Sequence, residues 1–418
     1  METLSQRPRP GVTLRVSSEP PGRGILRSEL QHFRSENTQQ RFTIDGSNAL
    51  EARLSALCDE VLEGVQKIVP AAKLDAVVLG GGYGRGQGGV LRTRTGDEPY
   101  NDLEFYVFLN GNRLLNERRF GRALHMLGEE MSPDAGLHVE FKIDALERLR
   151  KSAISMFSYD LVSGHRLLFA PYGCFNQCEH HLIARDIPLH EATRLLMNRC
   201  TGLLLVQELL KREKLSDSDS DFVGRNLAKA QLALGDVVLT ASGEYHWSCE
   251  ERHQRLKALA PLEKLPWWRD VEKHHAMGKE FKLHPARMQR SVRQFTMDYL
   301  SVSDLARQVW LWLENQRLGQ KFGSVREYGL SRVPKCAEHS AIHSLLVNVR
   351  TFGTRALVSR AGFRYPRERL LNSLPLLLWE NPGNDVRVRR SLQKQLRTSG
   401  SDWQSFVAVY KNLWPPFS

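Results

Sequence analysis

The strongest constraint on this chain is a run of glycines directly behind an apolar strand: Leu74-Asp-Ala-Val-Val-Leu-Gly-Gly-Gly-Tyr-Gly-Arg-Gly-Gln-Gly-Gly-Val90. Residues 74–79 read as a short strand. The glycines that follow allow tight backbone turns and a close approach to a ligand. A second strand comes soon after, in Asn101-Asp-Leu-Glu-Phe-Tyr-Val-Phe108. Successive side chains of a strand alternate between its faces, so Asp102 and Glu104 share one. Neighbouring carboxylates repel unless a cation lies between them. A flexible anion cradle beside a carboxylate pair predicts a site for a metal-bound nucleoside triphosphate.

Two better-known glycine motifs fail on context. Gly84–Gly89 fits G-x-G-x-x-G, but a dinucleotide fold needs a crossover helix of a dozen or more residues before the next parallel strand. The segment 91–100 is short and contains Gly96 and Pro99. A Walker-type loop needs Gly-Lys-Ser/Thr, whereas Gln87 follows Gly86.

Upstream, Leu50, Leu54, Leu57, Val61, Leu62, Val65 and Ile68 recur at helical spacing up to Pro70. Residues 1–45 are rich in Pro, Arg, Ser and Gly and predict a disordered tail, with marginal helix at Ser28–Glu36. Leu114–Met131 reads as a helix with a basic face (Arg113, Arg118, Arg119, Arg122), broken at Pro133. Leu137–Ile143 alternates as a strand with His138, Glu140 and Lys142 on one side, and a last strand is expected at Gly164–Phe169. From Leu189 helical patterns dominate: 189–213, 221–241, 249–260, 285–318, 338–360 and 366–379. Breaks fall at the acidic segment Ser216–Asp221 and at Leu265-Pro-Trp-Trp268. The expected fold is α+β, a small mixed-sheet module at 46–188 followed by an all-helical domain at 189–418.

The order of these elements resembles the DNA polymerase beta–type nucleotidyltransferase superfamily over residues 70–170. That signature is a strand ending in Gly-Gly or Gly-Ser, a short helix, a strand bearing acidic-x-acidic, and a third carboxylate on a neighbouring strand. Here these are Gly80-Gly81-Gly82, Asp102-Leu103-Glu104 and Glu140. The longer glycine string, Lys229-Ala-x4-Gly235-Asp236 and Tyr365-Pro-Arg-Glu-Arg369 are also similar to bacterial members with a long helical C-terminal region. The resemblance implies transfer of a nucleoside monophosphate, AMP from ATP, to a hydroxyl or similar acceptor, with pyrophosphate leaving. Asp102, Glu104 and Glu140 would be the catalytic and metal-binding residues for Mg²⁺ or Mn²⁺. Asp102 would bridge two metals, and Glu140 would bind one or take the acceptor's proton. Gly80, Gly81, Gly82 and Arg85 would contact the triphosphate, with Lys229 and, more weakly, Arg199 reaching in from the helices. Three features depart from the family pattern: Gly82 stands where serine is usual, Glu104 where aspartate is commoner, and the loop between glycines and carboxylates is long. An inactive nucleotide-binding regulatory protein and an enzyme acting on RNA ends are the alternatives.

The net charge of +12 suits anionic partners. No run of five or six basic residues marks a nucleic-acid arm, so a small molecule or a protein side chain is favoured as acceptor over RNA. Six cysteines in 418 residues do not suggest a disulfide framework. The first residues lack the apolar core of a signal peptide and no run approaches the length of a membrane span, so no membrane association and a cytoplasmic location are expected. Cys174-x3-Cys178-x-His180-His181 has zinc-ligand types at an unfamiliar spacing. Trp267, Trp268, Trp310 and Trp312 read as packing aromatics, and the Arg118/Arg119/Arg122 face as solvated.

Overall fold

The computed structural model describes residues 41–171, 173–259, 265–287, 290–353 and 364–417. The helix expected at Ser28–Glu36 and the tail up to residue 40 lie outside them. The architecture is α+β, a small mixed sheet followed by a large helical region.

Helix α1 (Asn48–Ile68) is capped by Ser47 and ends before Pro70. The sheet contains β1 (Leu74–Leu79), β4 (Asp102–Leu109), β5 (His138–Asp144) and β6 (Arg166–Phe169), in the order β5-β4-β1-β6. Strand β1 runs antiparallel to β4 and β6, while β4 and β5 are parallel. A one-turn helix, α2 (Gly81–Gly84), leaves the end of β1. The segment expected to be too short for a crossover is a hairpin, β2 (Gly89–Thr93) and β3 (Gly96–Tyr100).

Alternation along β4 divides its side chains between two layers. Leu103, Phe105 and Val107 pack with Leu50, Leu54 and Val61 of α1 and with Phe120 and Leu124 of α3 (Arg113–Ala135). Tyr106 and Phe108 pack on the opposite face with Leu149 of α4 (Leu146–Lys151) and Leu161 of α5 (Met156–Ser163). Asp102 and Glu104 belong to this second face, at the strand end where the apolar layer gives way to a cleft.

The helical region is built on α6 (Leu189–Leu209), α7 (Asp217–Ala241), α8 (Cys249–Ala258), α9 (Trp268–Leu283), α10 (Val292–Leu318), α11 (Val325–Leu330), α12 (Ala341–Phe352), α13 (Arg367–Trp379), α14 (Val386–Leu396) and α15 (Trp403–Leu413). They enclose one apolar core that includes Leu203, Val223, Val238, Val302, Leu374 and Phe406. Trp310 is buried in it and Trp267 packs edge-on against Trp312, so both act as packing aromatics.

Several boundaries differ from the sequence reading. Arg41–Asp45, placed in the tail, is packed: Glu51 accepts from the backbone of Phe42 and Thr43, and Phe42 is buried. Helix α3 continues through Pro133 to a left-handed cap at Gly136. The acidic segment Ser216–Asp221 is not a linker, because Ser216 and Asp219 form a capping box that starts α7 early. The stretch expected as one helix from 285 begins at Val292, and α9, α11, α14 and α15 were not anticipated.

The module and the helices belong to one compact unit, Arg41–Ser418. Gln87 in the glycine loop bonds Ser248 Oγ at 2.6 Å and the backbone N–H of Cys249 at 2.9 Å. Tyr100 donates to Asp221 at 3.0 Å. Among the described residues no helix is long and apolar enough to cross a membrane.

Candidate active site

The glycine turn sits directly on the carboxylate strand. The Gly80 N–H donates to the Glu104 carbonyl at 2.9 Å, extending the ladder by one rung. Gly81 has φ +63°, and a Cβ there would lie 3.3 Å from Glu104 Oε2. Gly84 has no room at all, since a Cβ would lie 2.1 Å from the Leu79 carbonyl oxygen. Tyr83 locks the loop from beneath: its hydroxyl bonds the Gly89 and Tyr100 carbonyls and accepts from the Tyr100 N–H.

The parallel register places Glu104 opposite Glu140, Asp102 opposite His138 and Tyr106 opposite Lys142. The three expected carboxylates therefore edge one face. Lys142 Nζ lies 3.2 Å from Glu104 Oε1 and 3.1 Å from Glu140 Oε2. Burial works against its charge, but the two glutamates outweigh that and raise the ammonium above an ordinary lysine. The Tyr106 hydroxyl donates to Glu104 Oε2 at 3.2 Å. Asp102 is exposed and has no cation within ion-pair distance among the described residues. Among those residues no group of three or more His, Cys, Asp or Glu side chains converges as a metal cage.

A cavity of about 400 Å³ opens beside this edge, between the sheet module and helices α6, α7 and α9. Its wall includes Asn101, adjacent to Asp102, and Arg85 at the end of the glycine turn. On α7, Lys229 and Asp236 line the cavity, Ala233 is buried, and Asn226 bonds the Phe222 carbonyl.

Six basic side chains line the cavity, and they fall into two groups. Arg85, Arg194 and Arg252 are paired with Asp160, Glu191 and Asp236 at 3.2, 2.9 and 3.1 Å. Arg199, Lys229 and Lys282 have no hydrogen bond or carboxylate within ion-pair distance among the described residues. Desolvation lowers Lys229, Arg199 lowers it further, and Asp102 and Glu104 pull it back up. Desolvation brings Lys282 down to about 8. Three uncompensated cations in one cavity create a strong local positive potential.

The paired groups form a scaffold behind them. The Tyr245 hydroxyl donates to Asp160 at 3.3 Å and accepts from Arg252 at 2.7 Å. Arg252 also pairs with Asp236, which meets His275 Nε2 at 3.2 Å; His275 in turn meets His253 at 3.2 Å. Burial opposes the charge of Asp236, yet Arg252 and His275 hold its carboxyl below the usual range.

Lys282, Arg252, Tyr245 and Asp160 were not anticipated. Lys282 lies on α9, a helix the hydrophobic pattern had not revealed. The zinc alternative gains no support: Cys174 and Cys178 are buried, and His180 and His181 each bond a backbone carbonyl, of Ser152 and Leu149. Comparison with protein-family models, with curated proteins and with solved structures found no match.

Proposed function

We propose that this protein is a nucleotidyltransferase that moves a nucleoside monophosphate, AMP from ATP, onto a hydroxyl or similar nucleophile of a small molecule or protein in the cytoplasm. One observation carries the reading: the glycine turn and the carboxylate strand adjoin, through Arg85 and Asn101, a cavity lined by three cations that have no ion-pair partner among the described residues. A triphosphate would satisfy the positive charge, and the turn would admit its tail against backbone N–H groups, since the first amides of a helical turn have no partner within it.

Arg199, Lys229 and Lys282 would bind phosphate oxygens in place of water, and Arg85, already oriented by Asp160, would add a further contact. The chemistry is an in-line displacement. The acceptor oxygen forms a bond to the α-phosphorus, the α–β anhydride bond breaks, and pyrophosphate departs with the bonding electrons. Glu140 lies on the face from which a carboxylate could receive the acceptor's proton. The cavity is of a size that holds a small ligand.

The donor set fits a divalent cation in part. Asp102 and Glu104 share a face beside the glycine turn and would hold Mg²⁺ or Mn²⁺, while Glu140 is engaged by Lys142. Such an ion would supply charge neutralisation for the phosphates and the leaving group.

The test is pyrophosphate release from each of the four ribonucleoside triphosphates, with fractionated cell extract as the acceptor source. Wild type should release it from ATP, and Asp102→Ala should reduce release by at least 100-fold, an order-of-magnitude expectation for losing charge stabilisation at a transition state. Equal release by both proteins would overturn the reading. ATP binding without release would favour a regulatory nucleotide-binding protein.

A further inference from the structure

The second charge in the carboxylate site is already supplied by the chain. Glu104 and Glu140 stand opposite one another in the parallel ladder, and Lys142 rises from the same face two residues beyond Glu140. Its Nζ is shared almost evenly, at 3.2 Å and 3.1 Å, between one oxygen of each. Glu104's other oxygen accepts from the Tyr106 hydroxyl. Tyr106 also steadies the lysine, whose Nζ lies 5.7 Å from its ring centroid. One of the pair's two negative charges is thus balanced by an ammonium held from three sides. Asp102, one pleat earlier, is the open carboxylate of the strand.

An ion coordinated by both Glu104 and Glu140 needs their oxygens at about 2.0–2.6 Å. It would have to occupy the place of the ammonium and leave Lys142 beside a divalent charge. Displacing the lysine would break two charge-assisted hydrogen bonds.

We infer that Lys142 takes the place of a second metal ion, so that the site binds a single divalent cation, on the Asp102 side of Glu104. The inference rests on the nucleotidyltransferase reading of the same site. In it Lys142 is a positioning residue: it holds Glu104 in one orientation and leaves Glu140 a charge-compensated neighbour rather than a metal ligand.

The experiment counts Mn²⁺ retained per bound nucleotide, by ultrafiltration and metal analysis, with the non-transferable analogue α,β-methylene-ATP. Wild type and Lys142→Arg should retain one Mn²⁺ per nucleotide. Lys142→Met, which opens the space and removes the competing charge, should retain two. Glu140→Gln should still retain one, which covers the case in which Lys142→Met fails to fold. Two ions in wild type would overturn the proposal, as would one ion in a folded Lys142→Met. A wild type that retains no nucleotide would instead overturn the underlying reading of function, a result the nucleotide measurement separates from a wrong metal count.

Discussion

Lys229 on α7 lines the cavity, and Asp102 on β4, 127 residues away in the chain, is near enough for its charge to act on the lysine and raise it. Neither has another ion-pair partner within reach among the described residues. A lysine and a carboxylate without ion-pair partners near one cavity suit a ligand with an anionic part and a metal-binding part.

Removing either open cation should weaken triphosphate binding selectively. Lys229→Ala and Arg199→Ala should each lower ATP affinity roughly 10-fold, in line with one charge-assisted contact. Affinity for AMP should change much less. Calorimetric titration with both nucleotides checks this, and equal losses for AMP and ATP would point to a general disturbance of the cleft.

Binding should depend on pH through Lys282. Burial lowers its free-state value to about 8, so it carries its charge below that pH and loses it above. ATP affinity should therefore fall as the pH rises from 7 to 9, and a bound polyphosphate should draw a proton onto the protein when binding occurs near pH 8. In Lys282→Met the part of this pH dependence due to Lys282 should vanish. The same variant should melt a few degrees higher, roughly, because an unpaired buried charge has been removed. Titrations at three pH values together with a thermal melt test both statements.

Arg252 ties the buried scaffold together through Asp236 and Tyr245. Its replacement by alanine leaves Asp236 buried with only His275 as a hydrogen-bond partner and leaves Tyr245 held by Asp160 alone. Loss of one member of a buried ion pair costs about 3–5 kcal/mol. Urea denaturation of Arg252→Ala should show a loss of that order; a change below about 1 kcal/mol would mean that the network contributes little to stability.

The glycine turn should respond differently at two neighbouring positions. Gly81→Ala imposes a left-handed conformation on a residue with a Cβ, at a cost of roughly 1–2 kcal/mol. It also crowds Glu104 Oε2, so activity should fall more than stability. Gly84→Ala drives a methyl into the Leu79 carbonyl, against backbone that cannot yield, and should impair folding itself. Comparing yield, melting temperature and turnover of the two variants separates these effects.

The sequence by itself determined the local pieces of this protein. The period of α1, the alternation in β4 and β5, and glycine's tolerance of a tight turn are short-range properties, so the sequence put Asp102 and Glu104 on one face of their strand and Glu140 with Lys142 on one face of theirs; that the two faces coincide follows from the parallel register. The capping box at Ser216 was equally local, but the acidic residues around it masked it. What tertiary structure decided was pairing. Which cations meet a carboxylate and which face the cleft alone depends on how α6, α7 and α9 dock against the module. That docking is set by side-chain packing between residues far apart in the chain. Lys142 belongs to the same category. Its place on the face was visible in the strand pattern, but its position between two glutamates follows from the parallel register of β4 and β5, and register is a property of two strands together.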